Sequence, residues 1–130
     1  MIALDTNLLA RLLLRDDRRQ HDRVLQLLAQ DEDFTAPITV MLELVWVLEV
    51  NDCSAEQIAQ GLELLLALPN FKPAEGVALR RALPWYAQGM DIADALHVAL
   101  SPTSERLATF DKAFVSQGKR LALAPPVVAA

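Results

Sequence analysis

The chain is poor in the residues that most often carry chemistry by themselves. Cys53 is its only cysteine, so no intrachain disulfide can form, which fits a reducing, cytoplasmic setting. Two histidines beside that single cysteine are too few for a Cys/His zinc centre. Four glycines leave no glycine-rich phosphate cradle, and no Walker loop is present. No apolar run approaches the roughly 20 residues of a membrane span, and no basic stretch followed by a long apolar one marks a signal peptide. Basic residues are outnumbered, 12 to 17, for a net charge of −5, which argues against an extended duplex-binding surface but not against a local basic patch. What the chain does have is apolar content, 53 % of 130 residues, above the usual figure of about 45–50 %. That predicts one domain with a sheet covered on both faces.

Short apolar runs predict strands at Met1–Leu4, Asp33–Ala36, Leu107–Phe110 and Leu121–Ala124, with Phe71–Glu75 a further candidate. Leucines at helical spacing predict helices at Asn7–Leu14 and Arg18–Gln30. Pro37 fits a helix start before Thr39–Val50, and Ser54 with Gln57 forms a capping box opening Ala55–Leu68. Val77–Gln88, with Pro84 as a kink or boundary, Asp91–Leu100, and Lys112–Gln117 stopped by Gly118 complete the set. Residues 125–130 read as a short tail. Strands alternating with helices predict an α/β fold with a parallel sheet.

The acids are the informative residues. In an open parallel sheet, ligands gather at the carboxyl ends of the strands. Asp5 follows the first strand, and Asp111 follows Leu107–Phe110. Glu43 interrupts the apolar helix MLELVWVLEV, and Asp94 interrupts MDIADALHVAL. Singly, each has a plain role. Asp5 and Asp111 can cap helices, Glu43 can face solvent beside Glu49, and Asp91 with Asp94 makes a charge pair favoured at a helix N-terminus. As a set, four acids on four segments can reach one sheet edge. Two carboxylates about 4 Å apart repel by roughly 4 kcal/mol at an effective dielectric near 20. Four therefore require raised pKa values or a bound cation, and oxygen donors select Mg²⁺ or Mn²⁺. No Ser-His-Asp or Cys-His arrangement is apparent.

ALDTNLLARLLLRDD, TVMLELVWVLE, MDIADALHVAL and LATFDKAF, in that order, resemble a PIN-domain nuclease, and within that family a VapC-type toxin of a bacterial toxin–antitoxin pair. The resemblance implies a three-layer α/β/α domain with a central parallel sheet of four to five strands. It implies an endoribonuclease that hydrolyses RNA phosphodiester bonds with metal-activated water. One or two Mg²⁺ or Mn²⁺ ions would be held by Asp5, Glu43, Asp94 and Asp111. Asn7 would orient Asp5 or a metal-bound water, Thr109 would support the site, and Asp91 is read as a cap. The family is commonly homodimeric, and a cognate antitoxin protein is the implied partner.

Arg11, Arg15, Arg18, Arg19 and Arg23 form a basic stretch after Asp5. Arg11 and Arg15, four apart on one helix face, and Lys112 beside Asp111 are candidate phosphate contacts on RNA. Pairing of those arginines with Asp16, Asp17 and Asp22 is the alternative. His97 is a candidate base or a structural histidine, and the tryptophans are expected to pack. The apolar faces of Thr39–Val50 and Ala55–Leu68 offer a groove for an antitoxin helix. Competing functions are a receiver-like Mg²⁺-binding phospho-signalling domain and a catalytically silent binding module. The first needs an acid pair after the first strand, where this chain has Asp5-Thr6-Asn7.

Overall fold

Strands in this protein are cut short by the helices that follow them. In the computed structural model, which describes residues 1–130, strand β1 (Ile2–Ala3) is two residues long. Leu4 is buried behind it, and helix α1 (Thr6–Leu14) begins at once. Strand β2 (Phe34–Thr35) is equally brief, because Pro37 fixes an extended φ and opens helix α3 (Ile38–Val50). Contacts divide the chain into two units, Met1–Gly76 and Val77–Ala130.

In the first unit β1 and β2 run parallel, with Ile2 opposite Phe34 and Ala3 opposite Thr35. Leu4 N donates to Thr35 O at 2.8 Å. On the other side of β2, Phe34 N donates to Asn70 O and Lys72 N to Phe34 O, both at 2.7 Å. The predicted strand Phe71–Glu75 is thus reduced to a parallel bridge between Phe34 and Phe71. Helix α2 (Arg18–Leu28) is capped by Asp17, and α4 (Ala55–Leu66) by the Ser54–Gln57 capping box read from the sequence. Met41, Leu44, Val45 and Leu48, spaced i, i+3, i+4, i+7, are the buried stripe of α3. Helices α1 and α4 pack against α3, and α2 packs against α1.

The second unit contains most of α5 (Gly76–Ala87), then α6 (Ile92–Ala99), β3 (Leu107–Thr109), α7 (Lys112–Arg120) and β4 (Val127–Ala129). Strands β3 and β4 are parallel, with Leu107 opposite Val127 and Thr109 opposite Ala129. Helix α7 is the crossover and packs on both.

Three expectations are corrected here. The strands form two two-stranded sheets, not a central sheet of four to five, because most of the predicted apolar runs are taken up by caps and loops. Leu121–Ala124 is not a strand, and the residues read as a tail form β4. Val127 and Val128 have the β-branched side chains that suit a strand, and Val127 is buried. Gly118 does not end α7 but lies inside it. A Cβ there would meet Val127 Cβ at 3.0 Å and Cγ2 at 3.2 Å, so the glycine lets helix and strand approach closely and any side chain would press on Val127.

Gly118→Val should therefore lower stability by about 1–3 kcal/mol through overpacking, read from the urea midpoint. Adding Val127→Ala should recover part of the loss. An unchanged midpoint in Gly118→Val would show that α7 and β4 are not in close contact.

Candidate active site

Four aspartates occupy helix N-cap positions: Asp5, Asp17, Asp91 and Asp111. Three of them behave as caps. Asp17 accepts from Gln20 N at 3.0 Å, Asp91 Oδ2 from Asp94 N at 3.1 Å, and Asp111 Oδ1 from Phe114 N at 3.1 Å. Asp5 has the extended backbone of a cap (φ −88°, ψ 162°) yet makes no side-chain bond to its helix. Its exposed carboxylate is free for another partner. Next to it, Thr6 is buried at 5 % exposure, and its Oγ1 has no hydrogen-bond partner. An orphaned buried hydroxyl costs about 1–3 kcal/mol. The sequence reading passed over Thr6, although its place inside the Asp-Thr-Asn triplet was the available signal.

Asn7 is exposed on the first turn of α1. It lines a cavity of about 220 Å³ with Leu8, Arg11, Gln20, Arg23 and Val24. Arg11 is half-buried and paired with Asp16 at 2.5 Å. Arg15 follows one turn after Arg11, and its N–H donates to Arg11 O at 3.3 Å. It is the C-cap, exposed, in the left-handed conformation (φ 55°). Glu43 is exposed on α3 outside the buried stripe, on the helix that packs against α1.

The second unit brings acids together. Asp94 stands in the first turn of α6, half-buried. Burial above all, then the neighbouring Asp91 carboxylate and more weakly that of Asp111, raise the Asp94 carboxyl above its ordinary value, and His97 opposes the shift. Thr109 accepts from Asp111 N at 3.0 Å through Oγ1, so the hydroxyl fixes the turn between β3 and α7. Lys112, the exposed first residue of α7, follows. His97 is exposed. Tyr86 is buried at 2 % exposure, and Trp85 lies under Arg81, whose guanidinium carbon is 5.5 Å from the ring centre.

In neither unit do three His, Cys, Asp or Glu side chains close into a metal cage by themselves. The donors nevertheless suit a hard cation. All are carboxylate or hydroxyl oxygens, Asp5 is not engaged by its own helix, and Asp94 sits against like charge.

The sequence profile of the PIN domain matches residues 2–119. The chain belongs to the PIN domain family. No curated protein matches it. PIN domains are nuclease-type domains that act on nucleic acid and typically use divalent metal ions. This PIN domain has no helix long and apolar enough to cross a membrane. Strand β4 lies beyond the matched span.

A carboxyl whose pKa is raised on folding binds its proton more tightly in the native state than in the unfolded one. Keeping it ionised costs stability above the native pKa; the cost fades as pH falls through that raised value and is gone below the ordinary value of 3.8. Asp94→Asn should therefore raise the unfolding temperature in EDTA at neutral pH. The gain over wild type should shrink as the pH is lowered to about 3. A variant less stable at neutral pH would mean that the charge of Asp94 is compensated within the folded protein.

Proposed function

We propose that the protein is a Mg²⁺- or Mn²⁺-dependent endoribonuclease of the VapC type, a cytoplasmic toxin that works as a homodimer and is restrained by a cognate antitoxin. The observation that carries the reading is the placing of the half-buried Asp94 beside Asp91 and, more weakly, Asp111: burial first, then these like charges, raise its carboxyl, and His97 opposes them. Like charges held together in this way favour a divalent cation over further amino-acid partners.

One or two ions are proposed, with Asp5 and Glu43 as the candidate ligands in the first unit and Asp94 and Asp111 as those in the second. When bound, such an ion lowers the pKa of a water and offsets charge on the phosphate. The remaining work falls to the chain itself. Asp91 anchors the start of α6 and so fixes the backbone that carries Asp94. Thr109 fixes the turn that carries Asp111, while the Asp111 Oδ1 bond to Phe114 N leaves Oδ2 available. Asn7 orients Asp5 or a water from the first turn of α1. Lys112 and Arg15 hold flanking phosphates, and Arg11 joins them when its pair with Asp16 opens.

The test is cleavage of total RNA in Mg²⁺, in Mn²⁺ and in EDTA. Asp5→Asn and Asp94→Ala should each lower the rate by roughly 100-fold or more, since even groups that merely orient metal ligands are worth about 10- to 100-fold. EDTA should abolish cleavage. Asp5 makes no cap bond, so Asp5→Asn should keep the wild-type unfolding midpoint to within about 0.5 kcal/mol. Cleavage undiminished in EDTA, or in both variants, would remove the metal-dependent nuclease reading.

A further inference from the structure

Phe110 is the only phenylalanine the fold does not use. Phe34, Phe71 and Phe114 are exposed by 0 %, 4 % and 4 %, whereas Phe110 is exposed by 91 %. It is the single residue between the end of β3 and the Asp111 cap of α7. Nothing in that position calls for an apolar side chain: the Thr109 Oγ1 and Asp111 Oδ1 bonds define the turn, and Phe110 contributes no side-chain bond to it. On the surface beside it is a cavity of about 230 Å³, lined by Thr109, Phe110, Lys112, Val115, Ala129 and Ala130. Lys112 makes no ion pair and is exposed.

An exposed aromatic face next to a free ammonium, one residue from a site acid, matches the two chemistries of a nucleotide in a single strand. The base is planar, apolar on its faces and stacks on an aromatic ring, and its phosphate seeks a cation. The cavity is smaller than the roughly 300 Å³ or more that drug-sized ligands take, which suits one base rather than a larger group. We propose that Phe110 is the stacking platform for a base of single-stranded RNA and that Lys112 holds the phosphate of the same or the adjoining nucleotide. This rests on the nuclease reading above and adds to it a substrate-positioning residue, Phe110. A duplex keeps its bases stacked on one another and offers Phe110 no face. Selectivity among bases is expected to be weak, because every base presents a π-face.

The experiment measures binding and cleavage separately. Binding of a fluorescent 2′-O-methyl oligouridylate to the full chain in EDTA is followed by anisotropy, and cleavage of the unmodified strand in Mn²⁺ gives KM and kcat. Phe110→Ala should weaken binding by roughly 5- to 150-fold, the effect of losing one base–aromatic stack, and should raise KM with little change in kcat. Phe110→Trp should restore binding, and its indole emission should be quenched as the oligonucleotide is added. Lys112→Ala should weaken binding and flatten its dependence on salt. Equal binding by wild type and Phe110→Ala overturns the proposal, whether or not the protein cleaves RNA. A change in oligomeric state in Phe110→Ala, with RNA binding intact, overturns it as well and assigns the ring to a protein interface. Binding that depends on Phe110 in a protein that cleaves nothing would leave the platform standing and sink the nuclease reading alone.

Discussion

A carboxylate at a helix N-terminus is the interaction on which this protein turns. Backbone N–H groups left over at the start of a helix attract negative charge, and the chain places an aspartate there four times. The same attraction lets acids be held in fixed positions without a salt bridge to arginine or lysine, which would neutralise them. Asp91 and Asp111 each use one oxygen to fix a helix start, and Asp94 rides on the turn that Asp91 fixes. Asp5 is the exception, a residue in cap geometry with its side chain disengaged. Beside it the buried Thr6 hydroxyl also has no partner, so the start of α1 forgoes two local bonds that other helix starts show a side chain can make.

The same arrangement explains why the sheets are so small. Each of β1 and β3 leads within two residues to an aspartate in the N-cap position of a helix, so the helix start sets the end of the strand. Short parallel strands are weak by themselves, since their hydrogen bonds are few. In the first unit the shortfall is made up by helix packing, with Met41, Leu44 and Val45 of α3 fully buried. In the second it is made up by the close contact of α7 with β4, where the absence of a side chain at Gly118 lets Val127 come near.

Much of this was legible in the sequence because the signals were local. The Ser54–Gln57 box, the Pro37 helix start and the leucine spacing of α1 each involve residues within a turn or two of one another, and each element appears within a few residues of its expected place. Asp91 as a cap was legible for the same reason. Pairing was harder. Whether an apolar run joins a sheet depends on a partner far along the chain, so Leu121–Ala124 looked as good a strand as Val127–Ala129 and only the latter finds β3. Gly118 carried the usual mark of a helix end, and only the strand packed against it explains a glycine within the helix. The exposure of Phe110 could not be read either, since an apolar residue at the end of an apolar run is expected to be buried with it.

The parallel pairing of β3 with β4 has one more implication. Leu107 N donates to Pro126 O, and Ala130 N to Thr109 O, both at 2.9 Å. The corner bearing Thr109 and Asp111 therefore leans on residues made well after it. While a ribosome is still adding α7, β3 has no neighbour to bond with, and its amides and carbonyls are left to water. The strand pairing at that corner can therefore close only after residues 126–130 have been made, whereas the Asp111 bonds to Thr109 and Phe114 need only its near neighbours.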